Sequence, residues 1–153
     1  SRVYHSFETV VLRYFNVFGP RQDPTSQYAA VVPLFITAVA SGRPVTVFGD
    51  GEQSRDFTYV DNVVAANLLA ADAPEAVGRI FNIAAGSPES VATLARTVGR
   101  LLDRPVETVH AEPRPGDIRH SWADVSAARE ALGWEPHVGF EEGLRRTAEA
   151  VLG

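Results

Sequence analysis

The fold class follows from one stretch, Val10-Val11-Leu12-Arg13-Tyr14-Phe15-Asn16-Val17-Phe18, which runs into Gly19-Pro20. This stretch is rich in β-branched and aromatic residues and almost continuously apolar, which is typical of a buried strand in a parallel sheet covered on both faces. Shorter strands are predicted at 45–48 and 79–84, and a weakly alternating one at 106–111. Helices are predicted between them, so the pattern indicates an α/β fold with only part of a doubly wound sheet.

The predicted helices rest on capping residues and on apolar spacing. One covers about 31–41 and tolerates Pro33 in its first turn. Another starts near Asp61, an N-cap candidate, with Val64, Leu68 and Ala71 on one face. Ser90 is predicted to cap a third helix, and Asp124 a fourth that ends before Gly133. The last helix carries an apolar stripe of Phe140, Leu144, Ala148 and Val151.

Composition excludes several chemistries. The 153 residues carry a net charge of -5, and every basic residue apart from histidine is arginine. Without lysine or cysteine there is no Schiff base, no P-loop lysine, no thiol nucleophile and no thiolate zinc site. The acidic balance argues against nucleic-acid binding. The four histidines lack metal-ligand spacing. No apolar stretch reaches the ~20 residues that span a bilayer, and no signal peptide is visible, so a cytoplasmic protein is expected.

Two segments place an arginine beside an aspartate in a stiff loop: 49–61 (GDGEQSRDFTYVD) and 114–124 (RPGDIRHSWAD). A guanidinium matches phosphate oxygens, and a nearby carboxylate accepts hydrogen bonds from ribose hydroxyls. Such pairs suit a nucleotide diphosphate, but they also lock loops together, and spacing alone leaves both readings open. No G-x-G-x-x-G follows a strand, and the Gly49-Asp50-Gly51 triplet is predicted as a hairpin-type turn.

Three ordered motifs carry a resemblance to a known family. The segment 12–20 (LRYFNVFGP), the segment 49–61 and the segment 114–117 (RPGD) resemble the C-terminal half of extended short-chain dehydrogenases/reductases that act on nucleotide sugars. The chain is most similar to UDP-glucose and UDP-N-acetylglucosamine 4-epimerases, from Val10 to Leu152. The resemblance implies a partial Rossmann-type sheet plus a small α/β substrate-binding subdomain. Residues 1–153 would form the substrate-binding portion, with the N-terminal dinucleotide-binding half absent.

The resemblance also implies a UDP-sugar site. Arg55 and Arg114 would grip the phosphates, Asp117 would bind the ribose and Phe48 would stack on uracil, although core packing explains Phe48 equally well. Asn16 would contact the substrate diphosphate, and the backbone of Val31 and Val32 would border the substrate. Tyr14 and Phe15 would lie near the nicotinamide of NAD and the sugar. Tyr14 and Phe15 are equally plausible as strand residues with buried rings.

Ser121 stands where the family carries either a bulky tyrosine or a small residue. A small side chain leaves room for an N-acetyl group, so Ser121 favours UDP-N-acetylhexosamines, with UDP-glucose also accepted. The alternative is a surface serine without a ligand.

The chain departs from the family in two ways. It contains neither the glycine-rich NAD turn nor the Tyr-x-x-x-Lys pair, so no catalytic residue is predicted, and NAD is expected only in the complete enzyme. The leading hypothesis is the UDP-sugar-binding portion of a 4-epimerase, pairing with an N-terminal half or forming a homo-oligomer. The alternatives are a stand-alone nucleotide-sugar binding module, or part of a nucleotide-sugar 4,6-dehydratase or decarboxylase.

Overall fold

The computed structural model describes residues 7–23 and 31–153, and in this part of the chain short strands alternate with helices. The strands are β1 (Val11–Tyr14), β2 (Val17–Phe18), β3 (Val45–Phe48), β4 (Ser54–Arg55), β5 (Thr58–Tyr59), β6 (Ile80–Ile83), β7 (Glu89–Ser90) and β8 (Thr108–Ala111). The helices are α1 (Val31–Ala40), α2 (Val60–Ala71), α3 (Val91–Leu101), α4 (Ser126–Leu132) and α5 (Phe140–Leu152), with a 3-10 turn at Pro74–Ala76. The α/β class predicted from the sequence is confirmed.

The described strands form pairs rather than one wide sheet. β1 pairs with β6, β2 with β5 and β3 with β8, all parallel, whereas β4 pairs with β7 antiparallel. Because β3 and β4 do not pair with each other, the turn at Gly49 and Gly51 does not close a hairpin, and that prediction is wrong. Both glycines have positive φ angles, 73° and 83°, which send the chain from one strand pair to another.

The predicted long strand is divided at Asn16. This residue has a φ angle of 39°, in the left-handed region that asparagine tolerates better than most side chains. The chain therefore bends between β1, which pairs with β6, and β2, which pairs with β5. One apolar stretch thus serves two different strand pairs.

Two hydrophobic cores lie on either side of this bend. The first contains α1, β3, α3 and α5 around Phe18 and Tyr59. Helix α5 approaches it closely at Gly143, where an added Cβ would lie 2.9 Å from the Phe18 ring and from the Tyr59 ring. The second core packs α2 and α4 against β6, around the fully buried Trp134. The first core thus includes β3, and the second covers the parallel pair of β1 and β6.

Helix α2 differs from its prediction. It begins at Val60 with Tyr59 in the N-cap position, and Asp61 lies inside the first turn, where a carboxylate interacts favourably with the helix dipole. The predicted apolar face does not join the core, since Val64 is 51% exposed and Leu68 is 65% exposed. The buried side of the helix carries Asn62, Val63, Ala66 and Ala70.

The buried Asn62 explains why α2 sits in this orientation. Its side-chain Nδ2 donates to the Val138 carbonyl at 2.8 Å, and its Oδ1 accepts from the backbone N–H groups of His137 and Val138, each at 2.9 Å. The Asn62 carbonyl accepts from the Trp134 indole at 2.9 Å. A buried amide needs such partners, so these bonds fix which side of α2 faces inward.

The helix signals at Ser90 and Gly133 are confirmed, whereas the N-cap of α4 is Val125 and not the predicted Asp124. The Ser90 hydroxyl accepts from the Thr93 N–H at 3.0 Å and caps α3. Gly133 ends α4 with a φ angle of 60°, while Asp124 accepts from the Ser126 N–H at the start of that helix. In the described residues, no helix is both long enough and apolar enough to cross a membrane.

The solvent-facing side of α5 carries a charge network. The Glu142 carboxylate accepts from the guanidinium groups of Arg145 and Arg146 at 2.7 Å each. Hydrogen bonds from Arg145 and then Arg146 lower the pKa of Glu142 from 4.5 to about 2. This network makes α5 a source of acid sensitivity.

Candidate functional site

A cavity of about 690 Å³ opens between α1, the end of β3 and the loop that follows β8. Of the predicted substrate-binding residues, all but Ser121 line it: Asn16, Val31, Val32, Phe48, Arg55, Arg114 and Asp117. They come from the bend after β1, the first turn of α1, the end of β3, the strand β4 and the loop 112–118. The fold therefore brings together side chains that are up to 101 residues apart in the sequence, those of Asn16 and Asp117.

Arg55 links the two segments that the sequence singled out. Its guanidinium donates to the Ile118 carbonyl at 2.6 Å and to the Asp117 carboxylate at 2.5 Å, and it also donates to its neighbour's carbonyl, that of Ser54, at 2.8 Å. The arginine side chain is 16% exposed and the aspartate side chain 37%. The two segments are therefore locked together by a contact between Arg55 and Asp117, which is one of the two interpretations that the sequence left open. This contact leaves Arg55 at the wall of the cavity.

Arg114 lies against Phe48. Its Cζ atom is 4.0 Å from the centre of the Phe48 ring, a cation–π contact. Phe48 is partly buried at the end of β3, so one face of the ring is covered by the guanidinium rather than by the core. The Phe48 ring, which was predicted to stack on a base, therefore lies at the cavity wall with the Arg114 guanidinium over it.

The strap, residues 113–121, carries Arg114 and Asp117 across the cavity. Ser54 in β4 holds it, since the Ser54 N–H donates to the Arg119 carbonyl at 2.9 Å and the Ser54 carbonyl accepts from the Ser121 N–H at 3.0 Å. Arg119 also forms a two-bond contact with the Asp50 carboxylate, at 2.8 Å each, and these hydrogen bonds lower the pKa of Asp50. Ser121 therefore anchors the end of the strap and lies outside the lining of the cavity.

Asp56 supports the site from beneath. It is fully buried next to Arg55, and its two carboxylate oxygens accept from the Gly86 N–H at 3.0 and 3.2 Å. Burial raises the pKa of Asp56, and hydrogen bonds from backbone N–H groups, that of Gly86 foremost, partly offset the effect. The carboxylate thereby ties the end of β4 to the loop after β6.

The chain is similar to known proteins along most of its length. Residues 1–84 match the model of the NAD dependent epimerase/dehydratase family. The chain belongs to this family. It is 41% identical over 134 residues to UDP-glucose 4-epimerase of Mycolicibacterium smegmatis, an alignment that covers 88% of this chain and 42% of that protein. It is 33% identical over 145 residues to UDP-N-acetyl-alpha-D-glucosaminuronate decarboxylase of Bacillus cytotoxicus, covering 91% of this chain and 44% of that protein.

Solved structures of the epimerase/dehydratase family share the fold. The UDP-glucose 4-epimerase of Thermotoga maritima, solved with UDP-glucose, superposes with a TM-score of 0.91 at 44% identity, covering 97% of this chain and 47% of that one. The resemblance to extended short-chain dehydrogenases/reductases and the Rossmann-type architecture are both confirmed by this match. The chain spans about half the length of these relatives.

Tyr14 and Phe15, the two residues predicted near NAD, are not among the residues that line this cavity. The Tyr14 hydroxyl donates to Asn67 at 2.9 Å, and Tyr14 lines a separate cavity of about 480 Å³ between β1 and α2. Phe15 is partly buried against the second core. The place of Tyr14 and Phe15 near the nicotinamide of NAD stays a prediction.

Sequence reasoning missed several residues at the cavity. Gln53 is 8% exposed and donates to the Phe48 carbonyl at 2.7 Å, which fixes the turn behind that ring. Arg43 and Thr46 line the cavity as well. Thr46 lies on the exposed face of β3, where strand alternation offers a signal. Gln53 lies inside the segment 49–61 without a predicted role there, and Arg43 lies outside the motifs. Among the described residues, no three His, Asp or Glu side chains are grouped so that they could hold a metal ion.

Proposed function

We propose that this chain is the nucleotide-sugar-binding portion of an NAD-dependent UDP-sugar 4-epimerase. The observation that carries the proposal is the convergence of Arg55, Arg114, Asp117, Asn16 and Phe48 on one cavity. Two guanidinium groups supply paired donors for a diphosphate, an aromatic ring supplies a stacking surface, and a carboxylate and an amide supply acceptors for hydroxyls. The volume of about 690 Å³ lies within the range of small-molecule sites.

Each residue receives a role from its position. Arg114, at the start of the loop 114–118, and Arg55, which donates to the end of that loop from β4, bind the diphosphate. Asn16 contributes its amide from the bend after β1. Phe48 packs against uracil, and Asp117 accepts from the ribose. At the start of α1, the backbone of Val31 and Val32 borders the substrate.

Redox chemistry falls to groups that this chain does not present. NAD would accept and return a hydride at the sugar C4, and the family's tyrosine–lysine pair would move the hydroxyl proton. With no lysine in the chain, that pair has to come from a dinucleotide-binding half, which we propose as the partner of this portion. We assign the present residues to binding and orienting the nucleotide sugar, and the chain with added NAD is expected to show no turnover.

The test is an amide-resolved NMR titration of the chain with UDP-glucose and UDP-N-acetylglucosamine. We expect resonances around Arg55 and Arg114 to shift, and Arg55→Ala to weaken binding about tenfold or more, because a charged hydrogen bond contributes ~1.5 kcal/mol or more. The matched control is Arg96→Ala, on α3 and outside the cavity, which should leave affinity unchanged. A well-dispersed spectrum that ignores both nucleotide sugars would contradict the proposal.

A further inference from the structure

The contact between Arg114 and Phe48 has a consequence for ligand selection. We propose that Arg114 closes the base-stacking face of Phe48 while the site is empty and leaves it for the phosphates when a nucleotide enters. The inference rests on the proposed function, and it makes Arg114 a residue that selects nucleoside diphosphates over bare nucleosides.

The distance decides that the ring face is closed. With the guanidinium carbon 4.0 Å from the ring centre, the two groups are in van der Waals contact. A base inserted between them would require a separation of about 7 Å, two such spacings. A base can therefore stack on this face of Phe48 only after the Arg114 side chain has moved.

Arg114 is held more weakly than its neighbours. Arg55 and Arg119 each donate hydrogen bonds to a carboxylate, whereas within residues 7–23 and 31–153 the Arg114 guanidinium has no hydrogen-bond or ion-pair partner. Its ring contact is of the exposed kind, which changes an equilibrium constant about two- to fivefold. The phosphates of a nucleotide offer this guanidinium charged acceptors that the ring does not.

The backbone around Arg114 stays in place while the side chain moves. The side chain of Pro113 lies 3.7 Å from the Cβ position at Gly49, and Asp117 is bonded to Arg55 on the other side. A smaller cavity of about 380 Å³ shares Phe48, Arg114 and Asp117 with the larger one. Phe48 and Arg114 thus form part of the wall between the two cavities. Rotation of the Arg114 side chain uncovers the ring face of Phe48.

Selectivity follows from this exchange of contacts. A nucleoside has to displace Arg114 from Phe48 without offering it a new partner. A nucleoside diphosphate displaces it and binds it. Removal of the Arg114 side chain should therefore have opposite effects on the two ligands, whereas loss of a simple phosphate contact would weaken only the diphosphate.

The experiment measures affinities of the chain for uridine and for UDP by NMR titration. We expect Arg114→Ala to bind uridine about two to five times more tightly, the size of the lost ring contact, and to bind UDP at least about tenfold more weakly. The control is Arg96→Ala, which removes an arginine on α3 that lines neither of the two cavities. It should leave the uridine affinity unchanged. Unchanged or weaker uridine binding by Arg114→Ala would overturn the inference.

A second measurement follows the Arg114 side chain in the unaltered chain. Its Hδ resonances should be shifted upfield by the Phe48 ring in the free protein and should move to ordinary positions when UDP is added. UDP binding that leaves these resonances unmoved would overturn the role of Arg114 alone. If the unaltered chain binds no UDP, the proposed function fails and this inference fails with it.

Discussion

Arg55 and Asp117 are 62 residues apart in the chain, yet a contact of 2.5 Å joins the guanidinium of one to the carboxylate of the other. This contact closes the strap onto β4 at the wall of the cavity. A ligand that contacts one of these two side chains therefore also affects the position of the other.

Substitution of this pair should therefore be non-additive. We expect Arg55→Ala and Asp117→Asn each to weaken UDP binding, and the double variant to lose less than the sum of the two by about 0.5–3 kcal/mol, as for residues in direct contact. Isothermal titration calorimetry of the four proteins measures the coupling. Strictly additive losses would show that the contact does not matter to binding.

Ser121→Tyr tests the prediction about sugar size. Ser121 lies outside the lining of the cavity, so this prediction rests on the family resemblance and on the fixed backbone of Ser121, whose N–H donates to the Ser54 carbonyl. We expect binding of UDP-N-acetylglucosamine to fall more than binding of UDP-glucose. Competition titrations with both nucleotide sugars compare the two, and an equal loss would refute a size-selective role.

At Asn16 the backbone and the side chain can be tested separately. Asn16→Gly keeps the positive φ angle without strain and removes only the amide, so it should weaken UDP binding and leave thermal stability nearly unchanged. Asn16→Ala should in addition destabilise the fold by about 1–2 kcal/mol, since alanine resists the left-handed region. Thermal melts and UDP titrations of both variants separate these effects. Equal stability of the two variants would argue against strain at this bend.

Loss of the Asn62 side chain should destabilise the chain strongly. Asn62→Ala leaves buried groups of His137 and Val138 without partners, and we expect a loss of about 2–4 kcal/mol in the free energy of unfolding. Asn67→Ala, on the exposed side of the same helix, is the matched control and should cost less than about 1 kcal/mol. Urea denaturation measures both. Similar losses would mean that the Asn62 bonds contribute little.

Glu142 should give α5 a specific acid sensitivity. Its pKa is lowered in the folded chain from 4.5 to about 2, so the stabilisation is fully present above pH 4.5 and is lost as the pH falls towards 2. We expect Glu142→Gln to be less stable than the unaltered chain at neutral pH, with the difference shrinking across this window. Melting temperatures between pH 2 and 7 report it, and a difference independent of pH would rule out the charge network as its cause.

Local signals predicted local structure well. The caps at Ser90 and Gly133 act within a few residues, and the motifs around Arg55 and Arg114 identified side chains that share a cavity. The bend at Asn16 was missed because strand propensity is continuous across 10–18, and the bend depends on where β5 and β6 lie. The orientation of α2 was missed for a similar reason, since the partners of Asn62 are more than 70 residues away.

The contacts within the site were beyond sequence reasoning. Each arginine was identified from its own loop, but the sequence does not show that Arg55 meets Asp117 or that Arg114 covers Phe48. Both contacts depend on the strap crossing over β3 and β4. Gln53 lies inside the segment 49–61, but that pattern does not indicate its hydrogen bond to the Phe48 carbonyl.

The two cores are interleaved along the chain, and this limits how the protein can be divided. The polypeptide passes from one core to the other between Val17 and Phe18, Tyr59 and Val63, Ala84 and Val91, Val106 and Ala123, and Trp134 and Val138. Neither core is a contiguous segment, so a cut at any of these places divides at least one of them. Each core can close only after distant parts of the chain have met, which makes folding depend on long-range contacts and slows it. The cavity draws its lining from residues 16 to 117, so any piece that keeps the Arg55–Asp117 wall together with both cores spans most of the described chain.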